Sequence, residues 1–201
     1  MKVAVVDYGM GNLRGVKLGI ERAGGRAVIT NDPAEVTEAD AIVLPGVGAF
    51  KDAMERLRSI EEVVKDQIRA GKPLLGICLG LQLLFTESME GGLHRGLDLL
   101  KGRVVKLPAG VKVPHMGWNK VNIAKWTRFV EDLPQGAYMY FVHSFYADPL
   151  NKDIVLATTE YGVEFPSIVE ADPLYATQFH PEKSGKTGLK LLRNFISIAK
   201  R

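Results

Sequence analysis

The run Leu74-Leu75-Gly76-Ile77 carries no polar side chain and passes directly into Cys78-Leu79-Gly80. A strand without a polar face has no side to turn to water, so it has to lie in a sheet covered on both faces, as central strands of parallel α/β sheets do. The preceding residues fit that setting. Short runs rich in Val, Ile and Leu occur at Lys2 to Val6, Ala27 to Thr30 and Ala41 to Leu44, each read as a strand. Between them Leu13, Val16, Ile20 and Ala23 recur at helical spacing until Gly24 and Gly25 stop the helix. Met54, Leu57, Val63, Val64 and Ile68 form the stripe of a second helix, predicted over Phe50 to Ala70 and ended by Gly71 and Pro73. A third helix is predicted from Leu79 to about Met89.

The second half has a different texture. Arg103 to Leu107, Asn119 to Ile123, Ala137 to Tyr146, Ile154 to Thr159, Ser167 to Val169 and Leu174 to Phe179 read as successive strands with few helices between them. A last helix is predicted from about Lys186 to Lys200. The expected fold class is α/β: a central, mostly parallel sheet flanked by helices, with an antiparallel or mixed extension in the second half. Neither an internal repeat nor a linker interrupts the 201 residues, which suit one domain over 1–201.

Composition narrows the function classes. With 46% hydrophobic and 24% charged residues the chain matches ordinary soluble globular proteins, against disorder and membrane residence. The longest apolar stretch, Leu74 to Phe85, is broken by Gln82, and no basic and apolar leader precedes the first strand. A cytoplasmic protein without a membrane partner is expected. The net charge is +3, and the one basic cluster, Lys183, Lys186, Lys190, Arg193, Lys200 and Arg201, reads as a solvated helix face rather than a nucleic-acid site. A single cysteine excludes an internal disulfide and a cysteine-based metal cluster.

That cysteine sits between two glycines where a strand turns into a helix, the pattern of a nucleophile elbow. The turn is tight, so neighbouring side chains must be absent if the sulfur is to stand clear. Unpaired N–H groups at the helix start favour a thiolate and stabilise an oxyanion. The same residues also describe a small buried core thiol. A thiolate nucleophile needs a base, and the four histidines are His94, His115, His143 and His180. His180 ends the apolar strand Leu174 to Phe179, Pro181 turns the chain, and Glu182 lies where its carboxylate can orient an imidazole. Alone, His-Pro-Glu is an ordinary surface turn. His143 competes from within a strand, where it reads more simply as a core histidine with its hydrogen bonds met. Neither close histidine pairing nor a cysteine partner suggests zinc, and no Gly-Lys-Ser/Thr loop cradles phosphate. Neither metal nor cofactor is expected.

The elbow and the His-Pro-Glu stretch together resemble the class I, triad-type glutamine amidotransferases. Within that group five stretches are similar to the glutaminase-subunit family of imidazole glycerol phosphate synthase: Asp7 to Leu13, Pro45 to Phe50, Pro114 to Asn119, Phe141 to Ser144, and Thr177 to Ser184. Related amidotransferases typically carry His-Gln after the elbow and Gly-Gly after the third strand, where this chain has Leu81-Gln82 and Gly46-Val47. The resemblance implies a flavodoxin-like fold with Cys78 as nucleophile, His180 as base and then acid, and Glu182 as orienter. It implies an oxyanion hole from Leu79 with Val47 or Gly48, and a glutamine pocket of Gly48, Gln82, Glu90, Ser144 and Phe145. Phe145 departs from the Tyr typical of that place. A (β/α)8-barrel cyclase is implied as the partner in a heterodimer, taking ammonia to make imidazole glycerol phosphate and the carboxamide ribotide AICAR in histidine biosynthesis. Asn12, Met116, Trp118, Tyr138 and Lys183 are the expected interface residues. Gln82 and Glu90 also fit exposed faces of the elbow helix, and Trp118 also fits a core. An amidotransferase subunit of another synthase, a stand-alone cysteine hydrolase and a catalytically silent binding subunit are the competing functional readings. Val47 further suggests a gate: a β-branched residue resists backbone conformations that Gly enters freely, so the loop peptide is expected to turn toward the oxyanion only when a partner compensates.

Overall fold

A computed structural model describes residues 1–200; Arg201, the last of the basic cluster, lies outside them. The elements of the first half are β1 (Lys2–Val6), α1 (Leu13–Arg22), β2 (Arg26–Thr30), α2 (Pro33–Glu38), β3 (Ala41–Leu44), α3 (Phe50–Leu57), α4 (Glu61–Arg69), β4 (Leu74–Ile77) and α5 (Leu79–Leu83). The strands lie where the apolar runs put them. Helix α2 is too short to show an apolar stripe in the sequence; Asp32 caps it by accepting from Ala34 N at 2.9 Å, and Pro33 fills its first turn.

Two predicted helices are corrected. Phe50 to Ala70 divides into α3 and α4: Ile60 leaves helical geometry at φ −121° and ψ −1°, its N donates to Leu57 O at 3.0 Å, and Leu57 and Ile60 both stay buried on the side of Val64 and Ile68. The elbow helix ends at Leu83 instead of Met89. Leu84 O accepts from both Leu99 N and Leu100 N at 2.9 Å, and Phe85–Ser88 becomes β5. The turn of α5 is buried throughout, so the chain leaves it as a strand that finds hydrogen-bond partners in the following segment.

The second half contributes β6 (His94–Arg95), β7 (Leu100–Lys106), β8 (His115–Ile123), β9 (Ala137–His143), β10 (Phe145–Pro149), β11 (Val155–Glu160), β12 (Glu164–Ala171), β13 (Leu174–Thr177) and α6 (Gly185–Ala199). A nine-stranded sheet runs β2-β1-β3-β4-β13-β12-β11-β8-β9, parallel through β13 and antiparallel beyond it. The expected mixed extension is therefore present, but part of it forms a separate four-stranded sheet, β10-β7-β5-β6. Ala137 to Tyr146, predicted as one strand, breaks at Ser144 and passes from the first sheet to the second.

Alternation along the parallel strands separates the core into two layers. Val3, Val5, Val43, Leu75 and Ile77 face one way, with Ile20 and Phe195 from α1 and α6; Ala4, Val6, Ile42, Leu44 and Leu74 face the other, with Phe50, Leu57 and Val64 from α3 and α4. All four residues of β4 are buried, as a strand without a polar face requires. Among the described residues no helix is long and apolar enough to cross a membrane. Strands β4 and β13 lie side by side and parallel, with Ile77 opposite Thr177. Cys78 and the residues after Thr177 thus emerge together at the carboxyl edge of the sheet, where open α/β folds place their ligands.

Candidate active site

Cys78 adopts φ +55° and ψ −106°, a region a side-chain-bearing residue enters only at a cost of about 1–3 kcal/mol. The cost is met by packing. A Cβ at position 80 would stand 1.8 Å from Leu44 O, and one at position 76 would stand 2.9 Å from Gly80 O. Glycine at both lets the elbow close against β3. Cys78 N donates to Thr177 O at 2.8 Å, which fixes Cys78 to the strand that leads into His180.

His180 Nδ1 donates to Glu182 Oε1 at 3.0 Å, with both side chains buried. His180 is stapled from behind: its N donates to Tyr140 O at 2.9 Å, Ser184 Oγ donates to His180 O at 2.6 Å, and Tyr140 N donates to Ser184 Oγ at 3.0 Å. Burial alone would lower the His180 pKa; hydrogen bonding and charge from Cys78 and Glu182 outweigh it and raise the value to about 10. His180 Nε2 nevertheless makes no close hydrogen bond, while Cys78 Sγ lies 3.6 Å from Val142 O.

Beside the sulfur is a cavity of about 210 Å3. Its lining includes every expected oxyanion residue, Val47, Gly48 and Leu79, and every expected pocket residue, Gly48, Gln82, Glu90, Ser144 and Phe145. Pro114, Val142 and His143 line it too, residues that no local signal in the sequence marks for the pocket. Gln82 is buried, not on an exposed helix face: its Nε2 donates to Phe145 O at 2.8 Å and to Gln178 Oε1 at 3.2 Å. Glu90 follows β5 rather than riding on a helix, and its Oε2 accepts from Phe50 N at 2.8 Å, so it caps α3 and ties the pocket to the Pro45–Phe50 loop. At the loop's other end Tyr8 Oη donates to Pro45 O. Gly48 has φ +103°, whereas Val47 is not among the positive-φ residues and is 39% exposed.

The model of the class-I glutamine amidotransferase family matches residues 4–199. The imidazole glycerol phosphate synthase subunit HisH of Methanothermobacter thermautotrophicus is 52% identical over 197 residues, covering 98% of each chain. That of Aquifex aeolicus is 52% identical over 204 residues, covering 100% of this chain and 99% of the relative. The chain belongs to the HisH family of class-I glutamine amidotransferases. Its fold is shared with a solved glutamine amidotransferase structure at TM-score 0.78, 23% identity and 99% coverage of both chains.

The expected interface residues of this HisH-family chain separate into two groups. Met116 and Trp118 of β8 and Tyr138 of β9 are 63%, 56% and 55% exposed and share the outward face of the β8–β9 pair, where Trp118 lies opposite Tyr140. Trp118 is thus no core residue. Lys120 stands over Tyr138 and Lys183 over Tyr140, each 5.8 Å from the ring centroid. Asn12 lies elsewhere: its Oδ1 caps α1 by accepting from Gly15 N at 3.3 Å, and its Nδ2 approaches Glu182 Oε1 at 3.5 Å, on the same oxygen that His180 Nδ1 meets.

His143 is a core histidine. Its Nδ1 donates to Phe145 O at 2.9 Å and its Nε2 accepts from His115 Nδ1 at 2.9 Å, while His115 Nε2 accepts from Asn119 Nδ2 at 3.2 Å. Burial holds the pKa of His143 down to about 3 and that of His115 to about 4. Both are neutral in the folded amidotransferase at pH values where an unfolded chain already binds protons. Stability from this pair is therefore fully present above about pH 6.5 and is lost as pH falls toward 4 and then 3. The slope of unfolding stability against pH over that window is expected to be shallower in His143→Asn than in the parent, as denaturant titrations at stepped pH would measure.

Proposed function

We propose that the chain is the glutaminase subunit of imidazole glycerol phosphate synthase, and that Cys78, His180 and Glu182 split glutamine and release ammonia for a separate (β/α)8-barrel cyclase held in a heterodimer. The observation that carries this reading is the His180–Glu182 pair set beside an elbow cysteine at the mouth of a cavity. The side-chain amide of glutamine enters that cavity, and Cys78 Sγ attacks its carbonyl carbon with the thiol proton already passed to His180 Nε2, where the raised pKa of the imidazole holds it. The carbonyl oxygen becomes an oxyanion, met by N–H groups of Leu79 and of Val47 or Gly48. Such donors are worth about 3–4 kcal/mol each in comparable sites. His180 returns the proton to the leaving nitrogen, ammonia departs, and a glutamyl thioester remains. Water then attacks the thioester with His180 as base; the S–C bond breaks, the thiol regains its proton and glutamate leaves. Glu182 holds the imidazole in the tautomer with Nδ1 protonated, and Asn12 steadies Glu182.

The exposed patch Met116, Trp118 and Tyr138 supports a partner at this edge of the molecule. Val142, whose carbonyl touches the sulfur, lies opposite Met116 in the β8–β9 register, so a protein docked on the patch covers the site. Ammonia in neutral water is mostly protonated and no longer nucleophilic, which favours a covered route. A stand-alone hydrolase would gain nothing from such a patch. Co-purification with the cyclase, and product formation from glutamine by the pair, test the reading; a chain that hydrolyses glutamine without forming the complex would overturn it.

Glu90 is the partner proposed for the α-ammonium of glutamine. Glu90→Ala should raise the half-saturating glutamine concentration more than it lowers kcat, because most of what is lost is uniform binding. The smaller fall in kcat comes from freeing Phe50 N and loosening the oxyanion loop. Steady-state kinetics of the complex would read both, and an unchanged half-saturation value would rule out Glu90 as the partner of the α-ammonium.

A further inference from the structure

Gln178 stands immediately beyond β13 and is wholly buried, yet none of the steps above uses it. Its amide has one orientation. Gln82 Nε2 donates to two carbonyl oxygens at once, Phe145 O and Gln178 Oε1. Turning the Gln82 amide over would set its oxygen against two acceptors, so the donor end is fixed. The Phe145 carbonyl is itself held by His143 Nδ1. With Oε1 of Gln178 occupied by Gln82, its NH2 faces the other way, and there it meets Cys78 Sγ at 3.7 Å.

The sulfur therefore has two neighbours suited to its two protonation states. Val142 O accepts from the thiol S–H. A thiolate has no proton to offer a carbonyl and instead needs a donor. We propose that Gln178 is a further catalytic residue, donating Nε2–H to the Cys78 thiolate when the proton has passed to His180 and again when the thioester expels the sulfur. This rests on the reading of Cys78 as nucleophile. Gln178 exchanges no atom in either step. It raises the thiolate fraction, and since nucleophilicity falls less steeply than that fraction rises, attack near neutral pH gains. The same bond makes the sulfur a better leaving group when water attacks the thioester. Other titratable groups around the sulfur are His180 and Glu182 after β13, Tyr8 after β1, His143 of β9 and Glu90 across the cavity; Gln178 is neutral at every pH, so it moves the sulfur's titration without adding one of its own.

The test is the pH dependence of Cys78 alkylation by iodoacetamide in the full-length parent, Gln178→Glu and Gln178→Met, together with glutaminase kinetics of each bound to the cyclase. Gln178→Glu keeps an acceptor for Gln82 and turns an acceptor to the sulfur; Gln178→Met keeps the length and removes both partners. In each the alkylation midpoint should rise by about one to two pH units. The kcat should fall about ten- to a hundredfold with KM within about twofold. Midpoints and kcat equal to the parent's in both variants overturn the proposal. Should either variant fail to fold, the parent answers alone. In protein labelled with 15N-glutamine, the Gln178 side-chain amide should shift through the same midpoint as alkylation, and an amide signal indifferent to it overturns the proposal. Failure of the underlying reading looks different, because an alkylated parent that still hydrolysed glutamine would remove Cys78 itself.

Discussion

Cys78→Ala is expected to abolish glutamine-dependent synthesis by the complex, by about 10⁴-fold or more on the scale of nucleophile removal in other triads. Synthesis from added ammonium salt should persist near the parent rate, because the acceptor chemistry lies in another chain. Alanine keeps a Cβ at the same positive φ, so the elbow keeps its shape and the change removes sulfur alone. Purified mutant complex assayed with glutamine and with ammonium salt separates the two activities. A mutant that made product from glutamine at close to the parent rate would dismiss Cys78 as nucleophile and the triad with it.

The second large effect is expected from the partner. Glutamate release by the isolated chain should be very slow, faster with cyclase, and fastest with cyclase and its nucleotide ligand, rising in all by at least about a hundredfold. One absent oxyanion donor alone is worth about 10²–10³ in rate. Sγ lies against Val142 O, His180 Nε2 has no close partner, and Val47 stays out of positive φ while Gly48 takes it. The loop is clamped at Pro45 by Tyr8 and at Phe50 by Glu90, which leaves only Gly46 to Ala49 to reorient. Turning the Val47 peptide inward costs a β-branched residue more than it would cost glycine, so Val47→Gly should raise the basal rate of the isolated chain. Equal glutamate release in all three mixtures would show that the oxyanion hole is preformed.

Much of the parallel half is legible in the sequence because its signals are local. Apolar runs of four or five residues mark β1 to β4, and glycine or proline marks where α1 and the second helical stretch end. The break between α3 and α4 is not legible. Met54, Leu57, Ile60, Val64 and Ile68 keep helical spacing straight across it, so the apolar pattern gives no sign of the backbone turn at Ile60. The elbow helix fails as a prediction for a related reason. Leu81, Leu83, Leu84 and Phe85 suit a helix or a strand, and the choice falls to hydrogen-bond partners at Leu99 and Leu100, which lie outside any local window.

The same division runs through the site. By itself the sequence determined the reactive types and their immediate geometry: a cysteine between glycines at a strand end, and a histidine two residues before a glutamate with proline between them. Those depend on backbone freedom and on spacings of a few residues, which local sterics enforce. Tertiary structure alone decided what stands around them. Pairing of β4 with β13 brings Gln178 to the sulfur, and the crossing at Ser144 carries the Phe145 carbonyl to Gln82. Closure of α1 against the turn after β13 sets Asn12 beside Glu182. Each joins residues about 60 to 170 positions apart, and a contact of that separation is fixed by which strands pair and in what register, a property of the whole sheet that no short stretch of the chain encodes.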